Sequence, residues 1–153
     1  MIYIFEDFAP NIQEILKEES VAQYADIPIG DVLFPSLSLR MSAWAYERFS
    51  DLMKIKAVPI MDYFRKYYKN IPQPTFVHTD EGLSRWTAVL SLRNNNGSVA
   101  FWSGGERFKT VNLELNTCVV YRSSIQHSRW PEYWDQDEPR LVQVFFFNER
   151  KSS

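Results

Sequence analysis

The chain carries two histidines, His78 and His127, and the first stands two residues before an acid in the segment Thr75-Phe76-Val77-His78-Thr79-Asp80. In extended backbone, residues two apart share a face, so this imidazole and carboxylate would converge on one point. That is half of a metal site. With His127 as a third ligand, the set becomes two histidines and one carboxylate, an arrangement whose open positions suit Fe(II) and oxygen chemistry. A plainer reading competes: an exposed strand end beside an incidental acid, with His127 capping a turn. Short patterns recur by chance, so His-x-Asp by itself favours the plainer reading.

Arg140 changes the balance. The run Arg140-Leu141-Val142-Gln143-Val144-Phe145-Phe146-Phe147 has strand composition and puts Arg140 on the face of Val142, Val144 and Phe146. A guanidinium heading an apolar face needs an anionic partner, because an unpaired buried charge is costly and the planar fork of arginine matches carboxylate or phosphate. Three arrangements meet that need: a partner supplied from outside, an acid of the chain, or a side chain that runs out to water; the residues leave these open.

The elements that must position these groups are read from periodicity. Residues 2 to 5 predict a strand, and Pro10 opens a helix with Ile12, Ile15 and Leu16 on one face. From Ser20 to Arg40, Pro28, Gly30, Asp31 and Pro35 predict extended pieces and turns. Ser42 is the expected N-cap of a helix whose buried face is Ala45, Phe49, Leu52 and Met53. Pro59 is expected to end it and to start another, with Ile60, Phe64, Tyr67 and Tyr68 at helical spacing.

Beyond Pro74 the period becomes two. Trp86, Ala88, Leu90 and Leu92 fall on one side of a strand, with Thr87, Val89 and Ser91 on the other. Asn94-Asn95-Asn96-Gly97 predicts a turn. Strands follow at Ser98 to Trp102, around Val111, Leu113 and Leu115 after the Gly104-Gly105 break, at Thr117 to Arg122, and from Arg140 to Phe147. Short strands behind helices predict a mainly β (α+β) fold, an antiparallel barrel or jelly roll braced by N-terminal helices. We read one domain over 1–153, with a helical and extended bracing region at 1–73 and the jelly-roll core at 74–147.

Bulk properties bound the function. The 153 residues are 45% hydrophobic and 16% aromatic, enough for a real core. A net charge of −2 supplies no general footprint for nucleic acid or an anionic membrane. Cys118 is the only cysteine, which excludes an intrachain disulfide and Cys-rich zinc sites and fits a reducing setting. The opening residues MIYIFEDFAP have neither a signal-peptide nor a membrane-span pattern, so a soluble, unprocessed, cytoplasmic protein is expected.

Taken in order, His78-Thr79-Asp80, His127 and Arg140 resemble the Fe(II)- and 2-oxoglutarate-dependent oxygenases, particularly the compact prolyl-hydroxylase-like members. His127 follows Asp80 by 47 positions and Arg140 follows His127 by 13. The resemblance covers roughly residues 74 to 147. It implies a double-stranded β-helix, a cupin-like jelly roll, in which His78, Asp80 and His127 hold Fe(II) and Arg140 binds the distal carboxylate of 2-oxoglutarate, with O2 as the other cosubstrate. Because related halogenases replace the acid with a small residue, Asp80 implies hydroxylation or a related oxidation. Many members have a hydroxyl residue two positions after the arginine, where this chain has Val142. Tyr121 or Ser91 is the expected substitute. Gly104-Gly105 corresponds to a Gly-Gly segment common in the family and equally suits a plain turn.

The substrate, a small molecule or a peptide, is not specified. Trp130 and Trp134, with Tyr133, are candidates for a substrate wall, whereas Trp44, Trp86 and Trp102 are expected to pack the core. Between Arg85 and Arg129 there are six basic residues against two acids, which fits an anionic substrate or merely solvated strand faces. Two other readings stay open: a cupin-like barrel that binds a different metal and a small anionic ligand without 2-oxoglutarate, and a non-catalytic barrel in which the three ligands do not converge.

Overall fold

A computed structural model describes residues 1–69 and 77–150. Pro74, Thr75 and Phe76, where the strand region is expected to begin, lie outside the described residues. The elements are β1 (Ile2–Phe5), α1 (Ile12–Ser20), β2 (Ala25–Ile29), β3 (Val32–Arg40), α2 (Ala43–Met53), β4 (Lys56–Tyr67), β5 (Trp86–Ser91), β6 (Ser98–Ser103), β7 (Glu106–Asn112), β8 (Cys118–Arg122), β9 (Gln126–Trp130) and β10 (Arg140–Arg150). They form a seven-stranded sheet, order β1-β8-β5-β10-β4-β3-β2, and a three-stranded sheet, order β7-β6-β9. All strand pairings among the described residues are antiparallel.

The alternation along β5, β8 and β10 sorts their side chains into two cores. Trp86, Ala88, Leu90, Cys118, Val120, Phe145 and Phe147 pack against Ile15 of α1 and Ala45, Tyr46, Phe49 and Met53 of α2. Val89, Val119, Tyr121, Val142, Val144 and Phe146 face the other way, onto Val99, Phe101, Val111 and Leu113 of the smaller sheet. The centre of the large sheet is therefore buried on both faces, which is why β5 has no exposed residue. The result is the expected double-stranded β-helix, with the two helices bracing its outer side. No described helix is long and apolar enough to cross a membrane.

The structure corrects the region before residue 70. The expected second helix is β4, paired with β10 on one side and β3 on the other. Its apolar positions 60 and 64, with 68 just beyond its end, satisfy a period of two as well as a helical one, and tertiary pairing decides between them. Pro59 does not end α2. Lys54, in the left-handed region at φ 58°, does. Pro59 instead sits opposite Phe147 at a bulge that leaves Ile60 without a cross-strand partner, a place where a missing N–H is tolerated. The Ser20 to Arg40 stretch is extended as expected, with Gly30 (φ 63°) and Asp31 turning the hairpin between β2 and β3.

Ser42 stands at the N-cap of α2 but makes no side-chain cap. Its hydroxyl accepts from Gln143 Nε2 at 2.9 Å. Asp62 collects the Ser42 amide (3.3 Å), the Tyr46 hydroxyl (2.9 Å) and Gln143 Nε2 (3.2 Å), tying α2, β4 and β10 together.

Candidate metal centre

His127 lies on β9, a strand that periodicity did not reveal, and its alternation points His127 into the barrel with Phe101 opposite. Residues around His78 run antiparallel to β9. The His78 amide donates to the His127 carbonyl at 3.0 Å and the His127 amide returns the bond at 3.0 Å. Direct cross-strand partners share a face, so the two imidazoles meet, with ring centroids 4.4 Å apart. Asp80 is held by its own amide donating to the Ser123 carbonyl at 2.8 Å.

The expected ligands therefore converge. One ligand atom from each of His78, Asp80 and His127 lies within 4.8 Å of the others. Asp80 Oδ2 is 2.9 Å from His127 Nε2 and Asp80 Oδ1 is 3.4 Å from His78 Nε2. Thr87, on the inner side of β5, donates to Asp80 Oδ2 at 3.2 Å and steadies the carboxylate. Burial acts to raise the Asp80 carboxyl, but hydrogen bonds and charge from His127 and His78 outweigh it and hold it well below the usual carboxylate range.

The donor set fits a cation on a specific ground. His127 Nδ1 lies 3.0 Å from the Ile125 carbonyl, which can only accept, so Nδ1 carries a proton and Nε2 is the atom turned to Asp80. The 2.9 Å contact of Nε2 with Asp80 Oδ2 is satisfied by a proton on Nε2, and equally by a cation held between the two atoms. Ligand atoms about 2.1 Å from one ion at right angles would be about 3 Å apart. The two spacings to Asp80, 2.9 and 3.4 Å, lie near that separation.

Arg140 begins β10, points into the barrel and is 3% exposed. Its Nη2 donates to the Ser98 carbonyl at 3.0 Å, whereas its Nε has no partner among the described residues. No described carboxylate pairs with it. Burial pushes its guanidinium down to about 10, still charged at neutral pH. Tyr121 stands between arginine and metal ligands: its ring is 4.7 Å from that of His127, and its hydroxyl, raised well above its usual value by burial and then by Asp80, also feels Arg140.

Three other expected site residues are not brought to this place. Ser91 faces inward, but its hydroxyl donates to the Arg93 carbonyl and accepts from Asn96, so the turn after β5 consumes it. Trp130 lies on the outer side of β9, because strand alternation that sends His127 inward sends Trp130 outward, against Trp102 and under Arg107. Trp134 is buried, donates to the Glu138 carbonyl and packs beside Gly97. Trp130 thus stands on the face of β9 opposite to His127, and the Trp134 indole and the Ser91 hydroxyl are each bonded within the chain.

Sequence reading passed over Thr87, which touches Asp80, and Arg65, Arg129 and Tyr67, the two guanidinium groups gathering with that of Arg140 around the Tyr67 ring. Thr87 was legible as the inner neighbour of Val89, and Arg129 follows His127 at strand spacing. Arg65 and Tyr67 were hidden by the helical reading of β4.

No protein-family model and no curated protein matches the sequence. Solved structures do match in fold. A non-heme alpha-ketoglutarate-dependent epimerase, SnoN from nogalamycin biosynthesis, is 14% identical and aligns over 94% of this chain and 76% of its own, with a TM-score of 0.69. A 2OG-Fe(II) oxygenase family oxidoreductase from Burkholderia pseudomallei is 11% identical over 95% of this chain and 84% of its own, with a TM-score of 0.70. A prolyl-4-hydroxylase from Pseudomonas putida is 12% identical over 95% and 92%, with a TM-score of 0.64. At these identities the likeness is one of fold.

Proposed function

We propose that the chain is an Fe(II)- and 2-oxoglutarate-dependent oxygenase that hydroxylates, or otherwise oxidises, a substrate C–H bond. The observation that carries this reading is the convergence of His78, Asp80 and His127 inside a barrel that also buries an arginine without a described acid. His78, Asp80 and His127 would hold the metal. Arg140 would bind the distal carboxylate of 2-oxoglutarate through the fork whose Nε is unused, and Tyr121 would be its neighbour on the metal side. Bound Fe(II) would supply O2 activation that couples conversion of 2-oxoglutarate to succinate and CO2 with insertion of one oxygen atom into the substrate. The chain contributes position and shelter: Phe101 and Val99 on one wall and Val89 and Val144 on the other keep the chamber apolar around the charged groups.

Anaerobic titration with Fe(II) and 2-oxoglutarate should produce a visible charge-transfer absorption that is lost in His127→Ala. Folded protein that binds iron but gives no such band would sink the reading. Metal analysis with an assay for succinate separates it from a cupin-like barrel that takes another metal.

A further inference from the structure

Behind Asp80 lies a row of buried hydroxyls from Thr87, Ser123 and Ser84. Thr87 Oγ1 is 3.2 Å from Asp80 Oδ2 and 2.8 Å from Ser123 Oγ. Ser84 Oγ is 3.3 Å from Ser123 Oγ and 2.8 Å from the Trp86 carbonyl. The three come from separate places: Thr87 from the inner face of β5, Ser123 from the residue after β8, and Ser84 from the turn that leads from Asp80 to β5. Thr87 pairs with Tyr121 on one side and Phe146 on the other, and Val89 follows it on the same face. Valine has nearly the shape of threonine and no polar atom to desolvate, so a threonine in this apolar setting calls for a use of its hydroxyl.

Each hydroxyl has a single proton to give, and this fixes the direction of the row. The Asp80 carboxylate can only accept, so the Thr87 proton points to it. The contact between Thr87 and Ser123 must then carry the proton of Ser123. The Ser123 oxygen is left to accept from Ser84, whose own proton is shared with the nearer Trp86 carbonyl. Every hydroxyl bond within the row therefore runs toward Asp80, and donors aligned in this way strengthen one another where the surroundings are of low dielectric. The turn itself does not depend on the row, because backbone bonds already hold it. The Asp80 amide donates to the Ser123 carbonyl at 2.8 Å and the Ser123 amide to the Arg85 carbonyl at 2.9 Å, while the amides of Leu83 and Ser84 donate to the Asp80 carbonyl at 2.9 and 3.3 Å.

We propose that Thr87, aligned by Ser123 and Ser84, is a positioning residue of the metal centre, one that fixes the rotation of the Asp80 carboxylate so that Oδ2 faces His127 and Oδ1 faces His78. The inference rests on the metal centre of the proposed function and not on 2-oxoglutarate. A carboxylate free to turn about its last bond has to be ordered when an ion binds, and that ordering subtracts from affinity. A hydroxyl that orders it beforehand, and leaves its orientation toward both imidazoles unchanged, keeps that affinity.

The probe is Co(II), a divalent ion that imidazole and carboxylate donors accept, titrated calorimetrically into the metal-free full chain without cosubstrate. Thr87→Val should weaken its binding about 10–100-fold relative to wild type. Thr87→Ser keeps the hydroxyl and should bind close to wild type, and Ser123→Ala, one step further from the carboxylate, should show a smaller loss in the same direction. A merely structural role would lower the thermal unfolding temperature of the metal-free protein and leave Co(II) affinity alone. Unchanged affinity in folded Thr87→Val therefore overturns the proposal, and so does a serine variant as weak as the valine one. Should the valine variant not fold, wild-type affinity in Ser123→Ala overturns it instead. Wild type that takes up no Co(II) removes the metal centre and the proposal with it. Graded losses of Co(II) binding, without a charge-transfer band from Fe(II) and 2-oxoglutarate, remove the oxygenase reading and leave the positioning row standing.

Discussion

His127 is fixed by its backbone on both sides: paired amides set its face against His78, and the Ile125 carbonyl sets its tautomer. Arg140 is the opposite case, a buried charge whose surroundings are incomplete. This makes an unusual expectation for Arg140→Ala. Removing an uncompensated buried cation should leave the ligand-free protein as stable as wild type or more so. Binding of 2-oxoglutarate should weaken by about 2–5 kcal/mol, at least ~30-fold in the dissociation constant. Arg140→Lys keeps the charge and loses the fork, so it should fall between them. Thermal unfolding checks the first part and titration of the charge-transfer band the second; a large loss of ligand-free stability in the alanine variant would contradict it. The candidate ligands were legible because each needs only residue type and order. Where Ser91, Trp130 and Trp134 sit was not, because it depends on which neighbour claims a hydroxyl and which way β9 alternates.

At the scale of elements, β4 is the informative failure. Apolar positions four apart are all even-numbered, so they serve a strand as well as a helix, and only pairing with β10 and β3 resolves the ambiguity. β5, β6, β8 and β10 were readable from their apolar alternation; β7 was placed too late, since Glu106–Asn112 is mostly exposed and Leu113 and Leu115 follow its end, and β9 was not seen, since Gln126-His127-Ser128-Arg129-Trp130 has no apolar alternation. Two substitutions test what holds these elements. Asp62→Ala would strand the Ser42 amide, the Tyr46 hydroxyl and Gln143 in the layer between α2 and the sheet, at a cost of about 3–5 kcal/mol. Urea unfolding should show the midpoint fall without a change in slope. Gly97 has φ 73°, and a Cβ there would stand 2.7 Å from the Trp130 carbonyl and 3.2 Å from the Trp134 ring. Gly97→Ala should therefore cost about 1–3 kcal/mol. It should also raise the 2-oxoglutarate dissociation constant, because the next residue, Ser98, holds Arg140. Unaltered 2-oxoglutarate affinity would show that this turn does not position the arginine.

Across the whole molecule, the proposed ligands span the two sheets: His127 belongs to the three-stranded sheet, and Arg140, Tyr121 and Thr87 belong to the seven-stranded one. Anything bound to both halves must come apart before they separate. Cys118 reports on the far side of the same structure. It is wholly buried in the layer between the large sheet and the helices, on β8 between β1 and β5, and burial pushes its thiol well above the usual value. Because the thiolate is the reactive form, a thiol reagent at neutral pH should label native protein only through opening. If the helices peel from the sheet as a local event, ligands in the barrel will not affect that opening. If the sheet that both cores share opens as one unit, ligands suppress it by mass action. Fe(II) with 2-oxoglutarate at about 100 times its dissociation constant, under anaerobic conditions and slow reagent, should then cut the labelling rate roughly 100-fold. The doubly buried β5, β8 and β10 argue for the second case, since neither core can be exposed without disturbing strands that also build the other. Labelling at the same rate with and without bound ligand would show instead that the helical layer opens by itself.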